Sequence, residues 1–209
     1  CHRRLRPALR QVELGHWEPP ALRGHEFMGR TVVIIGYGRL GGMISRFARA
    51  FGMNVLGCDP HVTIEDPWVR QVALQDLVKE ADVISLHVHL TAQTRGLLGG
   101  GEFAAMKPGV ILVNTSRGAV IDEASLLEAL REGRVSAAGV DVIDGERAAD
   151  LAQHPLIRYA AEHDNLIIAP HIGGCTVESQ VKAVRYLVDL LQAAWLNPER
   201  EQSFSETLS

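Results

Sequence analysis

Cysteine is scarce and unpatterned in this chain of 209 residues; Cys1, Cys58 and Cys175 are all it has. Their separations match no zinc-site spacing, and their odd number leaves one outside any set of pairs. Neither a metal knuckle nor a disulfide framework is expected, and reduced thiols in a cytoplasmic protein are. Long apolar runs are missing as well: nothing approaches the ~20 residues of a membrane-spanning helix, and no secretory leader is visible. An excess of positive charge is lacking too. The formal net charge is −4, so neither nucleic acid nor an acidic membrane is expected as a partner. The basic start, Arg3, Arg4, Arg6 and Arg10, is balanced by acids elsewhere and reads as a solvated helix face. Internal repeats and low-complexity segments are also absent.

What is present is ample apolar material, 46% of residues, arranged as short continuous runs separated by helical patterns. Strand-like runs fall at 31–35, 54–58, 82–86, 110–113, 137–142 and 165–169. Helical stretches fall at 3–12, 39–51, about 73–80, 102–106 and 122–132. Such alternation predicts βαβ units and a parallel sheet with helices on both faces. In the stretch 39–51, the apolar residues Leu40, Ile44, Phe47, Ala48 and Phe51 predict one face lying on the sheet. Asp122 is placed to cap the helix after it and Gly133 to end it. Thr176 is placed to cap a last helix whose stripe Val177, Val181, Val184, Val188, Leu191 and Trp195 is assigned to core or interdomain packing. The polar residues 197–209 are expected to fray.

The strongest chemical signal follows the first strand. Gly36-Tyr37-Gly38-Arg39-Leu40-Gly41 directly succeeds Thr31-Val32-Val33-Ile34-Ile35, and Asp59 ends the second strand. Gly36 allows the tight turn, Gly38 lets backbone approach a pyrophosphate, and Gly41 lets the helix pack on the strand. The helix start, at Arg39 and Leu40, offers unpaired N–H groups and a partial positive charge to phosphates. A carboxylate at Asp59 accepts from a ribose diol and repels a 2′-phosphate. No Arg or Lys follows closely, so NAD is favoured over NADP. The fold class read from this is α/β, a Rossmann doubly wound parallel sheet.

Further polar residues follow later strands, where open parallel sheets place their sites. They are Asn114-Thr115-Ser116-Arg117-Gly118, Gly139 to Glu146, and Ala169-Pro170-His171-Ile172-Gly173-Gly174. With Thr91, Thr94-Arg95-Gly96-Leu97, Met106-Lys107-Pro108-Gly109 and Asp122-Glu123, these motifs resemble the D-isomer-specific 2-hydroxyacid dehydrogenases from about Gly15 to Trp195. That family includes phosphoglycerate dehydrogenases and glyoxylate/hydroxypyruvate reductases. The resemblance implies that Arg117 holds a substrate carboxylate, that His171 is the general acid/base, and that Glu146 hydrogen-bonds it. It also implies that Asp141 faces the nicotinamide carboxamide, and that Thr91, Thr115, His171 and Gly173 line the cofactor. The implied partner is a small 2-hydroxy or 2-keto acid, in a homodimer.

The chain departs from the family pattern at Arg147, where Pro is usual, and at Ala169 and Cys175. The larger departure expected from the resemblance is that this stretch lacks the N-terminal domain that completes the family's substrate cleft. The expected division is therefore an interdomain-helix remnant at 1–14, an NAD-binding domain at 15–196 and a tail at 197–209. A chain so divided is expected to bind NAD and to turn over poorly alone. Two rival readings remain, a non-enzymatic NAD(H)-responsive corepressor-like regulator and an inactive fragment. His87 and His89 share a strand face, but no third ligand is spaced with them, so no metal is expected. His2, His16, His25, His61, His154 and His163 show no pattern and are assigned to the surface.

Overall fold

The computed structural model describes residues 1–196, apart from the side chains of Ala194 and Leu196; the tail expected to fray lies outside the described residues. The chain divides into two compact units, Cys1–Pro170 and His171–Ser209. The first unit is built on a sheet of strands β1 (Thr31–Ile35), β2 (Asn54–Cys58), β3 (Val69–Gln71), β4 (Val83–Leu86), β5 (Val110–Asn114), β6 (Val135–Val140) and β7 (Leu166–Ile168). All pair in parallel, in the order β3-β2-β1-β4-β5-β6-β7. The order reverses between β1 and β4, which creates a crevice at their C-terminal ends. The helices are α1 (Leu5–Glu13), α2 (Arg39–Ala50), α3 (Leu74–Glu80), α4 (Gly100–Ala105), α5 (Glu123–Arg131) and α6 (Pro155–Glu162).

The unalternating apolar runs reflect burial on both faces. Along β1, Val33 and Ile35 enter a cluster with Leu77, Leu98, Leu112 and Leu126. Val32 and Ile34 enter a second cluster with Tyr37, Ala48 and Val55. Asp122 caps α5 as expected, Oδ1 accepting from the Ser125 N–H at 2.8 Å. Gly133 follows α5 with φ 73°, the left-handed conformation a helix stop requires.

Several expectations are corrected. The buried face of α2 is Gly41, Ser45 and Ala48, whereas Leu40, Phe47 and Phe51 are 63%, 56% and 60% exposed. The reason is close approach at Gly41, where a Cβ would collide with the Gly36 carbonyl. Small residues one turn apart must then follow it on that face, and the bulky ones rotate outward. The strand expected at 137–142 runs from Val135 to Val140. A register shift opposite Val110 and Ile111 interrupts its start, and the Ser136 hydroxyl donates to the Gly109 carbonyl there at 2.7 Å. Two elements were not anticipated. The first, β3, is only three residues long. The second, α6, has Pro155 in its first turn and His154 as an unusual cap, Nδ1 accepting from Leu156 N–H at 3.3 Å. Arg6 and Arg4 are not merely solvated. Arg6 donates to the carbonyls of Leu166 at 2.9 Å and Ala160 at 2.8 Å, which ties α1 to the β7 edge, and Arg4 donates to Ala21 O at 3.2 Å.

The second unit holds the turn at 171–176 and α7 (Val177–Leu196). Thr176 Oγ1 accepts from Ser179 N–H at 3.0 Å, the expected cap. The apolar stripe assigned to packing is exposed, from Val181 at 44% to Trp195 at 88%. Among the described residues no helix is long and apolar enough to cross a membrane.

Candidate cofactor and substrate site

The three glycines of the turn after β1 meet three different demands. Gly36 has φ 90°, and a Cβ there would stand 2.6 Å from the His87 carbonyl oxygen at the end of β4. Gly41 brings α2 onto β1. Gly38 is different, since a Cβ there would meet no protein atom within 4 Å. It is exposed at the start of α2, with no side chain capping that helix. Its open surroundings and the uncapped N–H groups of Arg39, Leu40 and Gly41 form a cradle suited to an anion.

Asp59 lies beside this turn. Its Oδ2 accepts from Tyr37 N–H at 2.8 Å and its Oδ1 from His61 N–H at 2.9 Å. A carboxylate offers about four lone-pair sites, so capacity is left for a diol. The turn and the acid are thus joined by the backbone before any ligand arrives. These residues fit a dinucleotide: an anion cradle at a switch point with an acidic acceptor beyond it.

Thr91 is exposed and capped into its own turn; its Oγ1 accepts from the N–H groups of Gln93 and Thr94, each at 3.2 Å. The end of β5 is organised by Asn114, a fully buried amide whose importance the sequence did not reveal. Its Oδ1 accepts from both Ser116 N–H at 3.0 Å and Ser116 Oγ at 2.8 Å, while its Nδ2 donates to Arg117 O at 2.9 Å. That wrap presents Thr115 and Arg117 outward, both exposed. Arg117 Nη1 donates to the Ser116 carbonyl at 2.7 Å, leaving the rest of the fork available.

The loop after β6 is pressed against this one. Asp141, 9% exposed, donates its backbone N–H to Asn114 O at 2.9 Å. A Cβ at Gly118 would collide with the backbone of Ile143 and Asp144. Glu123 and His154 then hold that second loop. Glu123 Oε1 accepts from Asp144 N–H at 2.8 Å, and His154 Nε2 lies 3.0 Å from Asp144 O and 3.2 Å from Glu123 Oε2. Since His154 Nδ1 accepts from the backbone, Nε2 carries the proton shared between those oxygens. His154 is therefore no idle surface residue. Burial, the largest influence, pushes the Glu123 carboxyl above its ordinary range. Glu146 sits half-buried in the same loop, after Gly145 at φ 72°.

His171 and Gly173 belong to the second unit. His171 is exposed, with φ 54°, one of two non-glycine residues in the left-handed region among those described. Such strain is concentrated at functional sites. His87 is half-buried at the end of β4, with Nε2 2.8 Å from Ser85 Oγ, and burial lowers its pKa. Among the described residues no group of three or more His, Cys, Asp or Glu could hold a metal ion.

Comparison with known proteins adds to this geometry. Residues 1–173 match the model of the D-isomer specific 2-hydroxyacid dehydrogenase, NAD binding domain. Hydroxypyruvate reductase of Thermotoga maritima is 41% identical over 189 residues, which cover 90% of this chain and 60% of that protein. D-3-phosphoglycerate dehydrogenase of Methanocaldococcus jannaschii is 40% identical over 185 residues, covering 87% of this chain and 34% of that one. Among solved structures, D-lactate dehydrogenase from Aquifex aeolicus complexed with NAD and lactic acid superposes with a TM-score of 0.85 at 32% identity, over 96% of this chain and 64% of that one. The chain therefore spans less than two thirds of the length of these relatives.

Proposed function

The chain belongs to the D-isomer specific 2-hydroxyacid dehydrogenases, as their NAD binding domain, and from that membership we propose that it serves reversible, NAD-dependent reduction of a small 2-keto acid to a D-2-hydroxy acid. The observation that carries the reading is the joined pair of cradle and acid, Gly38 with open space above it and Asp59 already hydrogen-bonded to Tyr37 N–H. In this proposal Gly36, Gly38, Arg39, Leu40 and Gly41 receive the pyrophosphate, Asp59 the ribose and Asp141 the nicotinamide carboxamide, while Thr91, Thr115, His171 and Gly173 line the cofactor. When bound, NAD supplies the hydride chemistry at its nicotinamide ring.

The chain's own residues supply charge, orientation and a proton. Arg117 takes the substrate carboxylate in its planar fork and polarises the neighbouring keto oxygen. His171 gives a ring proton to that oxygen during reduction and takes it back from the hydroxyl in the reverse direction. Glu146 is assigned, from the family resemblance, as the carboxylate that orients that ring. The domain division at 15–196, after residues 1–14, belongs to the proposal as well. So does a homodimer. Met43, Phe47 and Phe51 on α2 are all exposed, and Phe27 lies against Phe51 with ring centroids 5.8 Å apart. An apolar patch of this kind supports pairing with a second copy.

The test is a panel of glycerate-, lactate- and hydroxypyruvate-type acids with NADH and NADPH, run on the longest polypeptide the gene encodes. Turnover of at least one acid with NADH, abolished by Arg117→Ala and His171→Ala, is expected. Turnover that survives both substitutions would refute the assigned roles.

A further inference from the structure

Tyr37 occupies the variable position of the glycine turn, yet it is 8% exposed and carries a buried hydroxyl. That hydroxyl donates to Asp66 Oδ2 at 2.6 Å and lies 2.6 Å from Ser45 Oγ on α2. Ser45 Oγ in turn donates to the Gly42 carbonyl at 2.9 Å, which ties this pair of hydroxyls to the start of α2. Burial, then the Asp66 carboxylate, raises the phenol's pKa, so it remains a donor at neutral pH.

The ring itself packs over β2 at Gly57, where a Cβ would stand 3.3 Å from Tyr37 Cδ2 and 3.1 Å from Val69 Cγ1 and would collide with Ile64. A phenylalanine would fill the same space. The hydroxyl is needed only for the polar partners.

The bonds from Tyr37 to Asp59 and to Asp66 bracket one segment. The chain from Asp59 to Asp66 crosses from β2 toward β3, starting at the proposed ribose acid. Tyr37 holds its first residue through the backbone, N–H to Asp59 Oδ2 at 2.8 Å, and its last through the side chain. Gln71, on β3, holds the middle. Its Nε2 donates to Asp59 O at 3.1 Å and Val62 O at 2.8 Å, and its Oε1 accepts from Ile64 N–H at 2.9 Å. The segment is exposed for much of its length, and these anchors fix it before a ligand arrives.

Resting on the reading that this end of the sheet takes NAD, we infer that Tyr37 and Asp66 form a latch holding residues 59–66 as the wall of the adenosine side of the cofactor site. Both are then positioning residues for the dinucleotide, acting through Asp59 and its loop rather than by contact with the nicotinamide. Pre-ordering the wall removes an ordering cost that would otherwise fall on binding.

The experiment titrates the 209-residue chain with NADH and with ADP-ribose, alongside Tyr37→Phe, Asp66→Ala, Asp66→Asn and the double variant Tyr37→Phe/Asp66→Ala. Tyr37→Phe and Asp66→Ala are each expected to weaken both ligands by about 5- to 10-fold, the loss of one charge-assisted hydrogen bond. The double variant should be no weaker than the worse single one, because both break the same bond. Asp66→Asn keeps an acceptor and should stay within about twofold. Hydrogen exchange should quicken at amides 59–66 and stay unchanged in α5. Unaltered affinity in Tyr37→Phe and Asp66→Ala would overturn the latch while leaving the cofactor reading intact. Faster exchange throughout the first unit, with additive losses, would also overturn it, by reducing it to general stability. Failure of the unsubstituted chain to bind either ligand would sink the cofactor reading and the latch together.

Discussion

In the proposed reading, the single charge of Asp59 sets which dinucleotide is accepted. Its carboxylate accepts from Tyr37 N–H and His61 N–H beside the glycine turn, and no Arg or Lys follows it closely in sequence. Replacing it by Asn keeps the acceptor and removes the repulsion. Asp59→Asn is expected to shift relative affinity toward NADPH by about tenfold, some 1.4 kcal/mol, measured by titration with both reduced cofactors. The cysteines give an independent check on burial. Cys58 is half-buried beside Asp59, and burial followed by that carboxylate raises its thiol pKa, whereas Cys175 is exposed. Timed alkylation read by mass spectrometry should modify Cys175 well before Cys58. At this scale the tight turn at Gly36 and the close packing at Gly41 were legible, because the motif carries its local reason beside it in sequence. Asn114, Gly118 and His154 were not. Their work depends on which loops approach one another after folding, and neither a buried amide nor a crowded glycine announces its distant neighbour.

Among the elements, α5 matters most to the site because it starts where Glu123 grips the loop after β6. Its cap is Asp122, whose carboxyl is held below the usual range by the Ser125 backbone N–H and hydroxyl. A carboxyl so lowered stabilises the fold above the unfolded carboxylate pKa near ~3.9 and loses that contribution as pH falls through its folded value. Asp122→Ala should cost about 1 kcal/mol at neutral pH. Thermal melting should show the gap between variant and parent closing as the pH is lowered below that range. Gly118→Ala tests the contact between the two loops. The added methyl has no room against Ile143 and Asp144, so a loss of about 1–3 kcal/mol in chemical unfolding is expected. The sequence pattern placed β1, β2, β4 and β5 closely, since continuous apolar runs leave little choice. It placed Ala48 and Ile44 rightly on the packed face of α2 but put Leu40, Phe47 and Phe51 there too, because a glycine that forces close approach selects small neighbours over large ones. It missed β3 and α6, where three residues and an unusual cap leave too weak a pattern.

For the whole molecule, the exposed apolar patch of α2 and Phe27, like the exposed stripe of α7, is a feature a monomer does not explain. Sedimentation at micromolar concentration should show a dimer, and Phe47→Glu should yield monomer without lowering the melting temperature, because that side chain is already 56% exposed. A monomeric parent chain would remove the support for pairing. The central claim, that the crevice at the β1/β4 reversal holds NAD through the open cradle at Gly38 and the acid at Asp59, is tested most directly by calorimetric titration of this chain with NADH and NADPH. One-to-one binding of NADH, at least about tenfold tighter than NADPH, is the expected result. Binding of neither, or equal or tighter binding of NADPH, would contradict it.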